Sequence, residues 1–506
     1  MNPTTDKLHT LIQSMSKSEK GFFKKQSNTY SSKGGLNYLK LFDAISKQEQ
    51  YDEEQLLKKF RKETFVKQFA VTKKYLFDSV LRNIRAFELD SNSYNKIDEL
   101  KTDAELLVQR SLYKEALRYI KKAKKLAYDV EYLSALLDLL ELERKVVGVY
   151  YPKDHTKRKK HINAERKKIL QELKDLYFYI RNIEYIHGKL RQQVFIRDEA
   201  TKQEFEELLA NPLYADDSRA TTLRAQICYW GAHQLFLKAL GNTKESVRIQ
   251  SKITAAWDAR PALKKERPLH YFNNLCNYLN KIYQNGEAER YGEELKKLKE
   301  IRFDTPSQQI LKARRIFIHE LYYMNLANDY SELDKIAEAV QLFIEQHATQ
   351  VQVSEHRFLL YNVMYAYVIS GQFEKALDWN LQLIDLPTTK DYWDLQRFGR
   401  LFNAIIHFEL GNLTLLPSVI QSVRRFLKKR SVYHNFEQLL LRLLGKADDL
   451  YFTYNSKELY QKYLTEFTSF KEDVAEKGAF QYFDAHCWIQ SKIQKKSMVD
   501  IYQEQV

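Results

Sequence analysis

Apolar residues recur at three- and four-residue spacing along most of the chain, the period of helices that bury one face. Near the start, Tyr38, Leu39, Leu41, Phe42 and Ile45 make one such face. Leu56, Leu57 and Phe60 make a second, and Tyr75, Leu76, Val80, Leu81, Ile84 and Phe87 a third. Ser16 and Glu19 are spaced as a capping box ahead of Phe22 and Phe23. Asp52, Glu53 and Glu54 put acids in a first turn, where the helix dipole favours them. Tyr30 to Gly35 reads as a loop, and Phe65, Val66 and Phe69 as a short helix of their own. Tyr132 to Tyr150 reads as one helix closed by Tyr151-Pro152. Lys157 to Arg191 is one very long helix, or two with a break near Asn182 or at His187-Gly188. Residues 446–506 read as a final helix pair with an apolar stripe of Tyr482, Phe483, Trp488, Ile489 and Ile493. The polar tail from Gln494 is expected to cover the end of the array.

Between these faces a turn residue returns with a near-constant period. Gly241, Gly286, Asn328, Gly371 and Gly411 stand 45, 42, 43 and 40 residues apart. Pro261 and Pro306 each follow 20 residues after Gly241 and Gly286, and are expected to stop the helix begun there. A tight turn, a helix and a stop, repeated, predict stacked helical hairpins.

Two segments share a finer pattern. Ser111-Leu112-Tyr113-Lys114-Glu115-Ala116-Leu117 and Gly371-Gln372-Phe373-Glu374-Lys375-Ala376-Leu377 each carry a small turn residue, an aromatic two on, and Ala-Leu five and six on. Here the chain resembles the tetratricopeptide repeat family. Ala116, Ile120 and Ala123 keep that family's small–large–small spacing, whereas Asn380 and Leu383 depart from it, and Tyr367 matches the aromatic of the first helix. The resemblance implies an all-α fold, a right-handed α-solenoid of hairpins, carried beyond these two hairpins by phase alone. The expected organisation is a helical head over 1–90, a tetratricopeptide-like array over 91–445 and capping helices over 446–506. The N-terminal block, SKSEKGFFKK with NYLKLFDAI and YDEEQLLKKF, also resembles a group of uncharacterised bacterial helical-repeat proteins. That resemblance implies a fold and no activity.

Composition agrees with helix. Gly 14 and Pro 8 are scarce in 506 residues, while Tyr 34 and Phe 28 are plentiful and are expected to fill gaps between helix pairs. No uncharged apolar run is long enough for a membrane span or a signal peptide, so a cytoplasmic protein is expected. Cys228, Cys276 and Cys487 lie far apart without a CxxC pair, which suits a reducing compartment and no zinc ribbon. Phosphate-loop, dinucleotide, nucleophile-elbow and HExxH motifs are absent; His319-Glu320 opens the last and fails at the second His. No catalytic residue, cofactor or metal is therefore expected. His486 beside Cys487 is read as a core neighbour, not a site.

A net charge of +15 favours acidic partners. The leading expectation is a non-enzymatic scaffold that holds a protein or peptide of acidic character in a groove. Tyr361, Asn362 and Tyr365 are the candidate groove residues, taken from the first helix of the best-preserved late repeat. The alternative is a nucleic-acid-binding regulator with the array as partner module. In the head, Thr72, Lys73 and Lys74 would open a recognition helix. Downstream, Lys157, Arg158, Lys159 and Lys160 belong to a basic run, Lys153 to Lys168, able to meet phosphates. The run Arg424 to Arg430 reads instead as cations complementing a helix C-terminus. Oligomeric state has no signal in the sequence.

Overall fold

Seven helix ends close in one way. In the computed structural model of the chain, Ser111, Glu131, Gly286, Asn328, Gly371, Gly411 and Lys495 all lie in the left-handed region, with φ between 50 and 76°. The following amide reaches back five residues each time: Leu112 to the Leu107 carbonyl at 2.9 Å, Gln372 to Tyr367 at 2.9 Å, Asn412 to His407 at 3.0 Å. This is the Schellman closure, which satisfies carbonyls the helix leaves open. The periodic Gly and Asn positions therefore mark a backbone requirement. The structure describes residues 6–29, 35–88, 92–192, 199–239, 243–348, 350–387, 393–429, 434–471, 473 and 476–504; Gly241 and the Tyr30–Gly34 loop lie outside them.

The described residues form 26 α-helices and three short 3-10 helices, without a strand. None of those helices is long and apolar enough to cross a membrane. Packing divides the chain into two units, Met1–Lys281 with Glu300–Gln309, and Ile282–Lys299 with Ile310–Val506.

In the first unit, the N-terminal helices close on Ile12, Phe23, Leu41, Phe42, Ile45, Leu76 and Val80. The capping box forms as its spacing predicts: the Ser16 amide donates to Glu19 at 2.6 Å, and the Glu19 amide to the Ser16 hydroxyl at 3.2 Å. Asp52 caps Glu53–Lys59, and Thr64–Gln68 is a 3-10 turn. Ser93–Gln109, Tyr113–Asp129, Leu133–Tyr150 and His155–Gln192 then pack each on the next. The last is a single helix of 38 residues, unbroken at Asn182 and His187-Gly188. Leu223–Ala239 packs along it in turn.

In the second unit, Leu333–Gln346, Val353–Ile369, Phe373–Asp385, Trp393–Glu409 and Leu416–Lys428 pack in sequence order. Val353–Ile369 is enclosed on nearly every side, from Leu359 and Leu360 through Val363, Met364 and Ile369. A helix this apolar all round belongs inside. The C-terminal region is a correction. Beyond residue 446 stand four α-helices, Ala447–Phe452, Ser456–Ser469, Ala485–Gln494 and Met498–Glu504, rather than a pair. The extended Thr453 ends the first, and the left-handed Lys495 ends the third. Ser497 and Asp500 then cap one another reciprocally, starting a helix that buries Met498 and Ile501 in place of the expected polar tail. The helices Thr243–Asp258 and Ala288–Glu300 end before Pro261 and Pro306, as the spacing predicts, and each proline also opens the next helix. Pro261 and Pro306 are the first residues of Pro261–Glu266 and Pro306–Ala327, where a missing N–H costs nothing.

Candidate partner-binding site

Val353–Ile369 carries Tyr361, Asn362 and Tyr365 into a cluster of tyrosines within the second unit. Tyr361 is 5% exposed, and its hydroxyl donates to the Tyr482 carbonyl. Its ring lies parallel to that of Tyr365, one helical turn on, with centroids 6.2 Å apart. Tyr365 is half-buried and meets Phe402 edge-on at 5.6 Å. Asn362 is turned in, its amide donating to the Phe358 carbonyl of its own helix at 2.7 Å. Of the three groove candidates, Tyr365 is the most accessible.

Neighbouring elements extend the cluster. Tyr322, on Pro306–Ala327, stacks on Tyr283 at 4.5 Å. Tyr482 stacks on Phe398, of Trp393–Glu409, at 4.9 Å. The Tyr502 hydroxyl pairs with that of Tyr365 and lies 3.4 Å from a carboxylate oxygen of Asp484. Tyr283, Tyr322, Tyr365, Tyr482 and Tyr502 are all half-buried, while the electrostatic reach of Tyr361 takes in Tyr365, Tyr482, Tyr322 and Tyr283. Burial raises the hydroxyls of Tyr361, Tyr365 and Tyr502 well above the ordinary tyrosine value, and that of Tyr482 to about 12. These phenols stay neutral, so they offer hydrogen bonds and flat apolar faces rather than nucleophiles.

One cation stands in this cluster without a counter-charge. Arg315 shares Pro306–Ala327 with His319 and Tyr322; burial lowers His319 and the Arg315 charge adds to that, while burial raises Tyr322 and the same charge opposes it. Its Nε is buried with no acceptor, and no carboxylate among the described residues pairs with it. The adjacent Arg314 is different, because its guanidinium is tied to Glu355. A buried Nε–H without an acceptor is costly, and a carboxylate presented by a ligand would relieve that cost. Sequence reasoning missed Arg315. Two consecutive arginines point to different faces of a helix, and nothing local says which one meets an acid.

The residues expected to touch nucleic acid are dispersed in their roles. Thr72 is buried and its hydroxyl donates to the Gln68 carbonyl at 3.1 Å. Lys73 is held by Asp6 at 2.5 Å, Glu53 at 2.9 Å and the Tyr51 hydroxyl at 2.7 Å, over the Tyr51 ring. Lys74 alone of these three is exposed. On His155–Gln192, Arg158 pairs with Asp154 at 2.9 Å and Lys159 is half-buried, while Lys157 and Lys160 are exposed.

No group of three or more His, Cys, Asp or Glu among the described residues is placed to hold a metal ion. Burial raises the Cys487 thiol to about 12 and the Cys228 thiol to about 11, away from reactive thiolate. His319 is 1% exposed and burial lowers it to about 3, so it is a neutral imidazole at ordinary pH. Compared with known proteins, the chain matches no family model, no curated protein and no solved structure.

Proposed function

We propose that this protein is a non-enzymatic interaction scaffold whose second unit binds a protein or peptide partner through an acidic group. Arg315, whose buried Nε has no acceptor and with which no described carboxylate pairs, stands beside Tyr322 and carries this reading. Arg315 receives a partner carboxylate, and the neutral hydroxyl of Tyr322 donates to it or to the adjoining backbone. The aromatic faces supply apolar contact at low entropic cost, which is why tyrosine and arginine dominate binding surfaces. The hairpins are tetratricopeptide-like and stack as a right-handed solenoid. This is supported by the repeated Schellman closures and by the packing of sequence neighbours. We place the protein in the cytoplasm, where three buried free cysteines stay reduced.

The test is quantitative affinity purification of the full chain from its native lysate after nuclease treatment, for the wild type and for Arg315→Gln. The expected result is a stoichiometric partner that survives nuclease and falls at least tenfold with Arg315→Gln. An unchanged partner set, or partners that vanish with nuclease, overturns the proposal.

A further inference from the structure

The long helix His155–Gln192 separates its charges by sign. Glu165, Glu172 and Asp175 turn inward and are matched, while Glu184 stays exposed near the C-terminal end. Glu165 receives Lys124 at 2.8 Å and the Tyr128 hydroxyl, and Asp175 receives Arg219 through three bonds of 2.9, 3.0 and 3.1 Å. Glu172 lies 3.9 Å from Lys168. Ile162, Ile169, Tyr179 and Ile186 bury the same side. On the opposite side, Lys160, Lys167, Lys174 and Arg181 are exposed, and none has a carboxylate partner among the described residues. They repeat every seven residues, so the stripe runs roughly 32 Å at about 1.5 Å per residue.

Three residues after Lys167 and Lys174 stand Leu170 and Tyr177, 49% and 65% exposed. A face meant only for solvent has no use for them. Cations and apolar residues alternating at spacings of three and four follow the seam of two packed helices. Asn163 and Glu184 occupy the matching places at the two ends.

We propose that this face docks a negatively charged amphipathic helix of a partner protein. Its carboxylates repeat every seven residues beside an apolar seam that covers Leu170 and Tyr177. A second copy of this stripe would set cation against cation. A phosphate backbone would satisfy the lysines and leave Leu170 uncovered. The surface uses no residue of the tyrosine cluster, so neither proposal depends on the other.

The experiment is fluorescence anisotropy on the full chain with three labelled probes. These are a helical peptide of four heptads with leucine seams flanked by glutamates, a scrambled peptide of the same composition, and a DNA duplex of similar length. The ordered peptide is expected to bind at least tenfold more tightly than the scrambled one. Lys167→Glu with Lys174→Glu should weaken it by about tenfold or more, and Leu170→Ala with Tyr177→Ala by about fivefold. Arg315→Gln should leave it unchanged. Lys167, Leu170, Lys174 and Tyr177 are solvent-facing, and circular dichroism checks that each variant keeps its helix content. Equal binding of the two peptides overturns the proposal. So does a duplex that binds more tightly than the ordered peptide, or indifference to the leucine and tyrosine changes.

Discussion

The Tyr291 hydroxyl lies 2.7 Å from His319 Nδ1, and both side chains are buried within the second unit. The pair has a consequence for stability against acid. Burial, helped by the charge of Arg315, lowers His319 from 6.5 to about 3. The unfolded chain therefore binds a proton near pH 6.5 that the folded chain refuses until about 3. Stability from this site is complete above the unfolded value and is lost as pH falls through that window. Its slope approaches about 1.4 kcal/mol per pH unit. Urea midpoints at about pH 5.5 and 4.5 should fall less for His319→Gln than for the wild type. Parallel loss in both would show that His319 is protonated without unfolding.

Two glycines should respond to alanine with opposite signs. Gly371 has φ of 76° with open space around its Cα, so Gly371→Ala meets backbone strain and no clash. It should cost about 1–2 kcal/mol. Gly148 sits within Leu133–Tyr150, also in open space, at an ordinary helical geometry. Gly148→Ala should add about 0.5–1 kcal/mol. Chemical denaturation of both variants tests the pair, and a loss at Gly148 would contradict the argument.

Asn380, on Phe373–Asp385, is fully buried, and neither its amide nitrogen nor its oxygen has a hydrogen-bond partner. Leucine has the same branched skeleton, with bulkier methyls in place of the amide atoms, and removes the unsatisfied groups. Asn380→Leu should raise stability by about 1–3 kcal/mol in thermal unfolding. A destabilised variant would mean that a bound water serves the amide.

Lys124 bridges Glu143 and Glu165 at 2.8 Å each, and all three side chains are at least four-fifths buried. Lys124→Met leaves two carboxylates facing one another and should cost about 2–3 kcal/mol. Adding Glu143→Gln and Glu165→Gln should recover most of that loss. Urea titration of the single and triple variants measures it, and no recovery in the triple variant would refute the electrostatic explanation.

Local chemistry was legible in the sequence wherever its cause lies within a few residues. The capping box of Ser16 and Glu19, the acids of the helix after Asp52, and the left-handed turns at Gly286, Asn328, Gly371 and Gly411 follow from short-range sterics and hydrogen bonds. The all-helical class follows from apolar spacing summed over many turns. Tertiary structure decided matters that depend on a partner distant in sequence. Tyr361 was singled out as an accessible residue and is instead buried against Tyr482, 121 positions away. Arg314 met Glu355, and Arg315 met no acid among the described residues. Lys73 was drawn into Asp6 and Glu53, while Lys160 and Lys167 were left outside. A sequence states which charges a chain carries. Whether each charge is neutralised depends on distances of a few ångströms between segments that only folding brings together.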